Sequence, residues 1–135
     1  MTLQGATAMS PLGPVVEAQL EKSARLVSLF ANGKRLEILY MLVAGDRSVG
    51  DLVTGTGGSI SAISQQLKLL TLGGLIERRR NGRNIYYSLK GPDAGKVLES
   101  ILGFCMDYTR QHPESARQVL AEGAEKDPQE PFTAR

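Results

Sequence analysis

The sequence has one cysteine, one histidine and no apolar run approaching the ~18 residues that a membrane-spanning helix requires. A single thiol, Cys105, excludes an internal disulfide and a cysteine-cluster metal site. With so few nucleophiles and bases, and no acidic cluster placed to converge on them, no nucleophile–base–orienter set can be assembled, so an enzyme is not expected. The glycine-rich "GTGG" leads into Ser59-Ile60, not Gly-Lys, which excludes a phosphate-cradling loop. The opening "MTLQGATAMSPLGP" lacks a basic segment and a long apolar stretch, so it does not read as a signal peptide. These absences predict a cytoplasmic protein of a reducing compartment, with no membrane association and no cofactor.

What is present is one modest core and an uneven distribution of charge. The 135 residues suffice for a single domain, and the net charge is only +2. Residues 66–90 hold six basic side chains (Lys68, Arg78, Arg79, Arg80, Arg83, Lys90) and one acid, Glu77. Residues 1–65 balance five against five, and residues 91–135 carry five bases against eight acids. The positive charge is thus gathered in one segment, which is the footprint that matters for nucleic acid.

Periodicity organises the rest. Residues 1–14 form a Gly/Pro/Ser/Thr-rich stretch expected to be a flexible tail. Apolar residues at 16, 20, 24, 27 and 30 predict an amphipathic helix over 15–30, and a denser apolar helix follows over 34–43. Ser48 with Asp51 three residues on is a capping-box variant opening a short helix, which Gly55, Gly57 and Gly58 should stop. Ser59 can cap the next helix, whose buried face is Ile63, Leu67 and Leu70 and which Gly73-Gly74 ends. "LIERRR" and "RNIYYSL" flank Asn-Gly and predict a β-hairpin. A last helix spans 93–108 with the stripe Leu98, Ile101, Leu102, Cys105 and Tyr108. Residues 113–135 read as a short helical extension and a flexible tail. The expected class is mainly α with a β-hairpin wing, in the order α-α-α-α-β-β-α, with the domain over 15–112.

A short helix, a tight turn and a polar-faced helix make a helix-turn-helix, and the second helix can enter a major groove about 12 Å wide. Ser61, Ser64 and Gln65 are placed to reach base edges, Lys68 to reach a phosphate, and Ser59 lies at the helix N-terminus with its free backbone donors. The arginine-tipped hairpin suits phosphates or the flanking minor groove. Three consecutive strand residues cannot share a face, so Arg79 should point away from Arg78 and Arg80, and one arginine can pair with an acid instead. Candidate DNA contacts are therefore Ser59, Ser61, Ser64, Gln65, Lys68, Arg79, Arg80, Arg83 and Asn84. RNA is disfavoured, because its A-form major groove admits no helix and the sequence offers no aromatic stacking sheet. The competing reading is a dimeric winged-helix interaction module whose main partner is a protein or a small effector.

Taken together, "RLEIL", "SVGDL", "SAISQQLKLL", "GLIERRRNGR" and "YYSL" give residues 29–89 a pattern that resembles the ArsR/SmtB family of bacterial winged-helix repressors. The resemblance implies a homodimer paired through its first and last helices. It would sit on a pseudo-palindromic operator in double-stranded DNA and leave when an inducer arrives. Leu20, Val27, Leu98, Ile101, Leu102 and Cys105 are the expected interface residues, with the recognition helices about 34 Å apart.

The chain departs from the family's sensing patterns. "DRSVGDL" carries no thiol where the arsenic and cadmium/lead branch has cysteine, and His112 stands alone beyond the last helix, so no metal site is expected. The persulfide- and redox-sensing branch is nearer. Its last-helix thiol corresponds to Cys105, but Tyr40 stands in place of its other cysteine, so an intrasubunit bridge is impossible. Cys105 is then either a target of reactive sulfur or oxygen species or a small buried hydrophobe. Gly58 replaces a customary leucine and Ile60 a common glutamine, which predicts a loosely anchored recognition unit.

Overall fold

The computed structural model describes residues 11–123. Its elements are α1 (Pro14–Ser28), α2 (Gly33–Ala44), β1 (Arg47–Ser48), α3 (Val49–Thr56), α4 (Ile60–Leu72), β2 (Ile76–Asn81), β3 (Asn84–Leu89), α5 (Asp93–Gln111) and α6 (Pro113–Gly123). The fold is a winged helix-turn-helix. One element, β1, is additional to the expected order, and α6 lies in the stretch read as a short helical extension. Arg47 and Ser48 pair antiparallel with Tyr87 and Tyr86, making a third strand in the order β1-β3-β2. Two residues are too few for side-chain alternation to reveal a strand. Pro113 cannot continue α5, so the chain breaks at His112 and starts again as α6. The expected tails at 1–14 and at the chain end fall mostly outside the described residues.

Local chemistry sets the helix boundaries. Pro14 occupies the first position of α1, where its missing N–H would be unsatisfied in any case. Asn32 caps α2 by accepting from Arg35 N at 3.0 Å. Ser48 and Asp51 close a reciprocal capping box on α3, at 3.1 and 3.2 Å. Helix α3 runs through Gly55, expected as a stop, and ends at Gly57, which is left-handed with φ 73°. The hairpin closes one residue later than its Asn-Gly suggests. Asn81 pairs with Asn84, so Gly82 and Arg83 form the loop, and Gly82 takes φ 68° at the first loop position.

The core is built by α2, α3, α4, the base of the hairpin and the start of α5. Ile38, Leu39, Leu52, Ile63, Leu67, Leu70, Ile76 and Leu98 are almost fully buried. Among them lies a cation. Arg35 has no exposed surface, and burial pushes its guanidinium pKa below the ordinary value. The side chain donates from Nε to the Leu29 carbonyl at 2.8 Å, from Nη1 to Gln66 Oε1 at 2.7 Å and from Nη2 to the Ser28 carbonyl at 3.3 Å. One guanidinium thus joins the end of α1, the start of α2 and the middle of α4.

Helix α1 contrasts with this core, for none of its residues is buried. Its apolar stripe is intact but faces outward.

Replacing Arg35 by leucine removes the donor from three oxygens on two other segments. The expected loss is about 3 kcal/mol of unfolding free energy, seen as a lower urea midpoint at unchanged slope.

Candidate nucleic-acid interface

Helix α4 is divided lengthwise. Ile63, Gln66, Leu67 and Leu70 are buried, while Ser61, Ser64, Gln65 and Lys68 are exposed at helical spacing on one stripe. Ile60, at the first helical position, is exposed as well. Ser59 accepts from Ala62 N at 3.1 Å, so its hydroxyl oxygen already holds the N-terminus of the helix, and it lies 3.4 Å from Ser61 Oγ. Helix α3 packs on α4, and both pack on α2, which fixes the exposed stripe relative to the core.

The wing sorts its arginines by strand alternation. Ile76, Tyr87 and Leu89 pack on the core from one sheet face, and Arg78, Arg80 and Ile85 continue that face toward the tip. Arg79 lies on the opposite face, across from Tyr86, and its Nη2 donates to Asp46 Oδ2. Arg79, one of the expected contacts, is thus ion-paired with an acid on the far face, whereas Arg78 shares its face with Arg80. Arg83 is exposed in the hairpin loop, and Asn84 is exposed as it opens β3. The base of the wing is tied down by Leu75 N donating to the Leu70 carbonyl at 3.1 Å and Lys90 N to the Leu75 carbonyl at 2.9 Å.

The terminal helices present apolar side chains to the outside. Leu20 is 52% exposed, Val27 57% and Phe104 67%. Leu98, expected at an interface, is 1% exposed, because it and Ala94 lie on the side of α5 that packs in the protomer's own core. Ile101 and Leu102 are half-buried against the same core. Cys105 is exposed in the protomer, not buried as a small hydrophobe, and lines an apolar groove of about 400 Å³ with Phe104, Tyr108, Ala116, Val119 and Leu120. Tyr40 is exposed on α2 and is not among the groove's lining residues. Among the described residues no group of three His, Cys, Asp or Glu side chains is placed to hold a metal ion, and no helix is long and apolar enough to cross a membrane.

Residues 32–78, from the cap of α2 to the middle of β2, match the family described as bacterial regulatory protein, arsR family. The chain is 39% identical over 101 residues to the nodulation protein NolR of Rhizobium meliloti, spanning 75% of this chain and 83% of NolR. The chain belongs to the ArsR family. It is also 40% identical over 103 residues to an HTH-type transcriptional regulator of Mycobacterium tuberculosis, where the match spans 76% of this chain but only 46% of the relative. Among solved structures, it is similar to the homodimeric winged helix-turn-helix DNA-binding domain of a possible ArsR-family regulator of Mycobacterium bovis. That likeness has a TM-score of 0.66 at 33% identity, over 77% of this chain and 96% of that one. The family is one of transcriptional regulators that bind DNA, not of enzymes.

The turn between α3 and α4 is closely packed. A Cβ on Gly58 would stand 2.9 Å from Ile63 Cδ1 and 3.1 Å from its Cγ1, so fully buried Ile63 fills the space a larger residue would need. The Thr56 hydroxyl accepts from Gly58 N at 3.2 Å and donates to the Leu52 carbonyl at 2.8 Å. Arg35 and Gln66 were invisible to periodicity, since an arginine near a helix start and a glutamine in a Ser/Gln-rich helix both read as surface residues.

Placing leucine at Gly58 should therefore destabilise the protein by about 1–3 kcal/mol through overpacking against Ile63. Thermal unfolding of Gly58→Leu, Ile63→Ala and the two combined checks this, and the combined loss should be smaller than the sum of the two single losses.

Proposed function

We propose that the chain is a homodimeric, sequence-specific repressor that occupies a pseudo-palindromic operator in double-stranded DNA and is released by an inducer. The observation that carries the reading is the lengthwise division of α4. One face is locked into the core, and the other offers Ser61, Ser64, Gln65 and Lys68 in a continuous exposed stripe. Ser61, Ser64 and Gln65 read base edges in the major groove, and Ile60 adds an apolar contact suited to a thymine methyl. Lys68, with Arg78, Arg80 and Arg83 of the wing, contacts phosphates or the minor groove beside it.

Helix α1 supports the dimeric part of this reading. An amphipathic helix that buries none of its residues in its own chain needs a partner for its apolar stripe. Leu20 and Val27 on α1 meet the outer side of α5 and the equivalent residues of a second copy. The release step is supported by the order of packing. Helix α5 packs on α2 and α2 packs on α4, so a change at the terminal helices reaches the recognition helix through continuous contacts.

Fluorescence anisotropy on the promoter of the protein's own gene, at two salt concentrations, tests the DNA reading. Arg80→Glu with Arg83→Glu should weaken binding more than tenfold and flatten the salt dependence, with the dimer intact by light scattering. Loss of the dimer in that variant, or unaltered binding, counts against the assignment. Leu20→Glu with Val27→Glu should yield monomers that no longer bind the operator. A reporter driven by the same promoter should rise when the gene is deleted, and a fall would make the protein an activator instead.

A further inference from the structure

The ion pair between Arg79 and Asp46 joins segments 33 residues apart in sequence and crosses the sheet. Asp46 follows Gly45, which ends α2, and precedes β1. By strand alternation Asp46 shares a face with Ser48; Ser48 pairs with Tyr86, and Tyr86 pairs with Arg79. Arg79 thus reaches back over β3 to the far edge of the sheet, along a cleft that Asp46, Arg79 and Tyr86 line together with Arg80 and Asn81 nearer the tip. Arg78 and Arg80 stand on the other face, the one that packs on the helices at its base.

Both partners are substantially exposed, with side-chain exposures of 58% for Arg79 and 43% for Asp46. An exposed pair of this kind adds little to stability, so the fold does not depend on it. Its electrostatic consequence is larger. Four arginines within six residues would give each wing a dense, sequence-blind attraction to any phosphate backbone, and such contacts raise affinity for all sequences alike. Asp46 cancels one of the four charges and anchors that side chain over β3, toward the far edge of the sheet.

We propose that Asp46 is a selectivity residue. By holding Arg79 on the back of the wing, it limits phosphate contacts and keeps non-specific DNA binding low relative to operator binding. The proposal rests on the DNA-binding reading above.

Three variants test it: Asp46→Ala, Arg79→Gln and the two combined. Each is measured on the operator and on an unrelated duplex of equal length across a salt series. Freeing one arginine per subunit adds about two phosphate contacts per dimer, which steepens the log–log salt slope by about 1.8. Between about 50 and 200 mM salt, that is roughly a further tenfold loss of affinity. Asp46→Ala should show this steeper slope, tighter binding to the unrelated duplex at low salt and a smaller operator preference, with its melting temperature close to the parent's. Arg79→Gln should keep the parental slope and preference, and the double variant should return to both. The proposal is overturned if Asp46→Ala leaves slope and preference unmoved. It is equally overturned if the steeper slope persists in full without Arg79, which would mean that losing the acid alone is responsible. Weaker binding by Arg79→Gln would show that Arg79 already touches DNA, and would overturn it as well. A parent that binds neither duplex removes the DNA-binding reading itself. A parent that binds in a salt-dependent manner beside an unaltered Asp46→Ala removes only the selectivity role.

Discussion

The buried guanidinium of Arg35 is the constraint on which the arrangement of the helices depends. Burying a cation is unfavourable unless oxygen acceptors surround it, and this one is met by two main-chain carbonyls at the end of α1 and by the side chain of Gln66 on α4. An apolar residue of similar volume would tolerate many small rearrangements of its neighbours. A planar donor with fixed directions does not, because each acceptor must stay within hydrogen-bond reach. The end of α1, the start of α2 and the middle of the recognition helix are therefore held in one geometry. Gln66 sits between Gln65, on the exposed stripe, and Leu67, in the core, so the polar anchor lies directly behind the stripe proposed to meet DNA.

From this anchor the exposed chemistry follows. The capping box of Ser48 and Asp51 fixes the start of α3, and the hydroxyl of Thr56 and the cap at Ser59 fix the turn between α3 and α4, all with short-range hydrogen bonds. The hairpin is fixed at its base by Leu75, and its tip buries nothing. Recognition helix and wing therefore behave differently as binding elements. In the DNA-binding reading proposed above, one is a reader held by the core, and the other is a charged arm whose strength is tuned by which of its arginines remain unpaired with acid.

The elements most legible in the sequence were those determined by neighbours three or four residues apart. Ser48 with Asp51, the Ser59 cap and the stripe Ile63, Leu67, Leu70 carry their own local reasons, so their positions could be read directly. Strand alternation likewise foretold that Arg79 would diverge from Arg78 and Arg80, although Arg79 still entered the expected set of contacts and Arg78 did not. What could not be read was pairing at long range. Gln66 lies 31 residues from Arg35, and Asp46 lies 33 from Arg79, and no periodicity links such positions. The fate of Leu98 was hidden for a different reason. Its stripe on α5 serves the protomer core at one end and the outside at the other, and an apolar pattern alone does not mark where one becomes the other.

The outward-facing stripe of α1 has a consequence for how much working protein a cell holds. A 15-residue helix with no buried residue is only marginally stable by itself, so in the proposed dimer its order would be supplied by association. For the dimer proposed above, mass action then makes stability and abundance inseparable. Dilution removes binding-competent molecules faster than it removes chains, and a modest change in synthesis becomes a steeper change in operator occupancy. The apolar face of α1 would give the regulator a threshold in its own concentration before any inducer is considered.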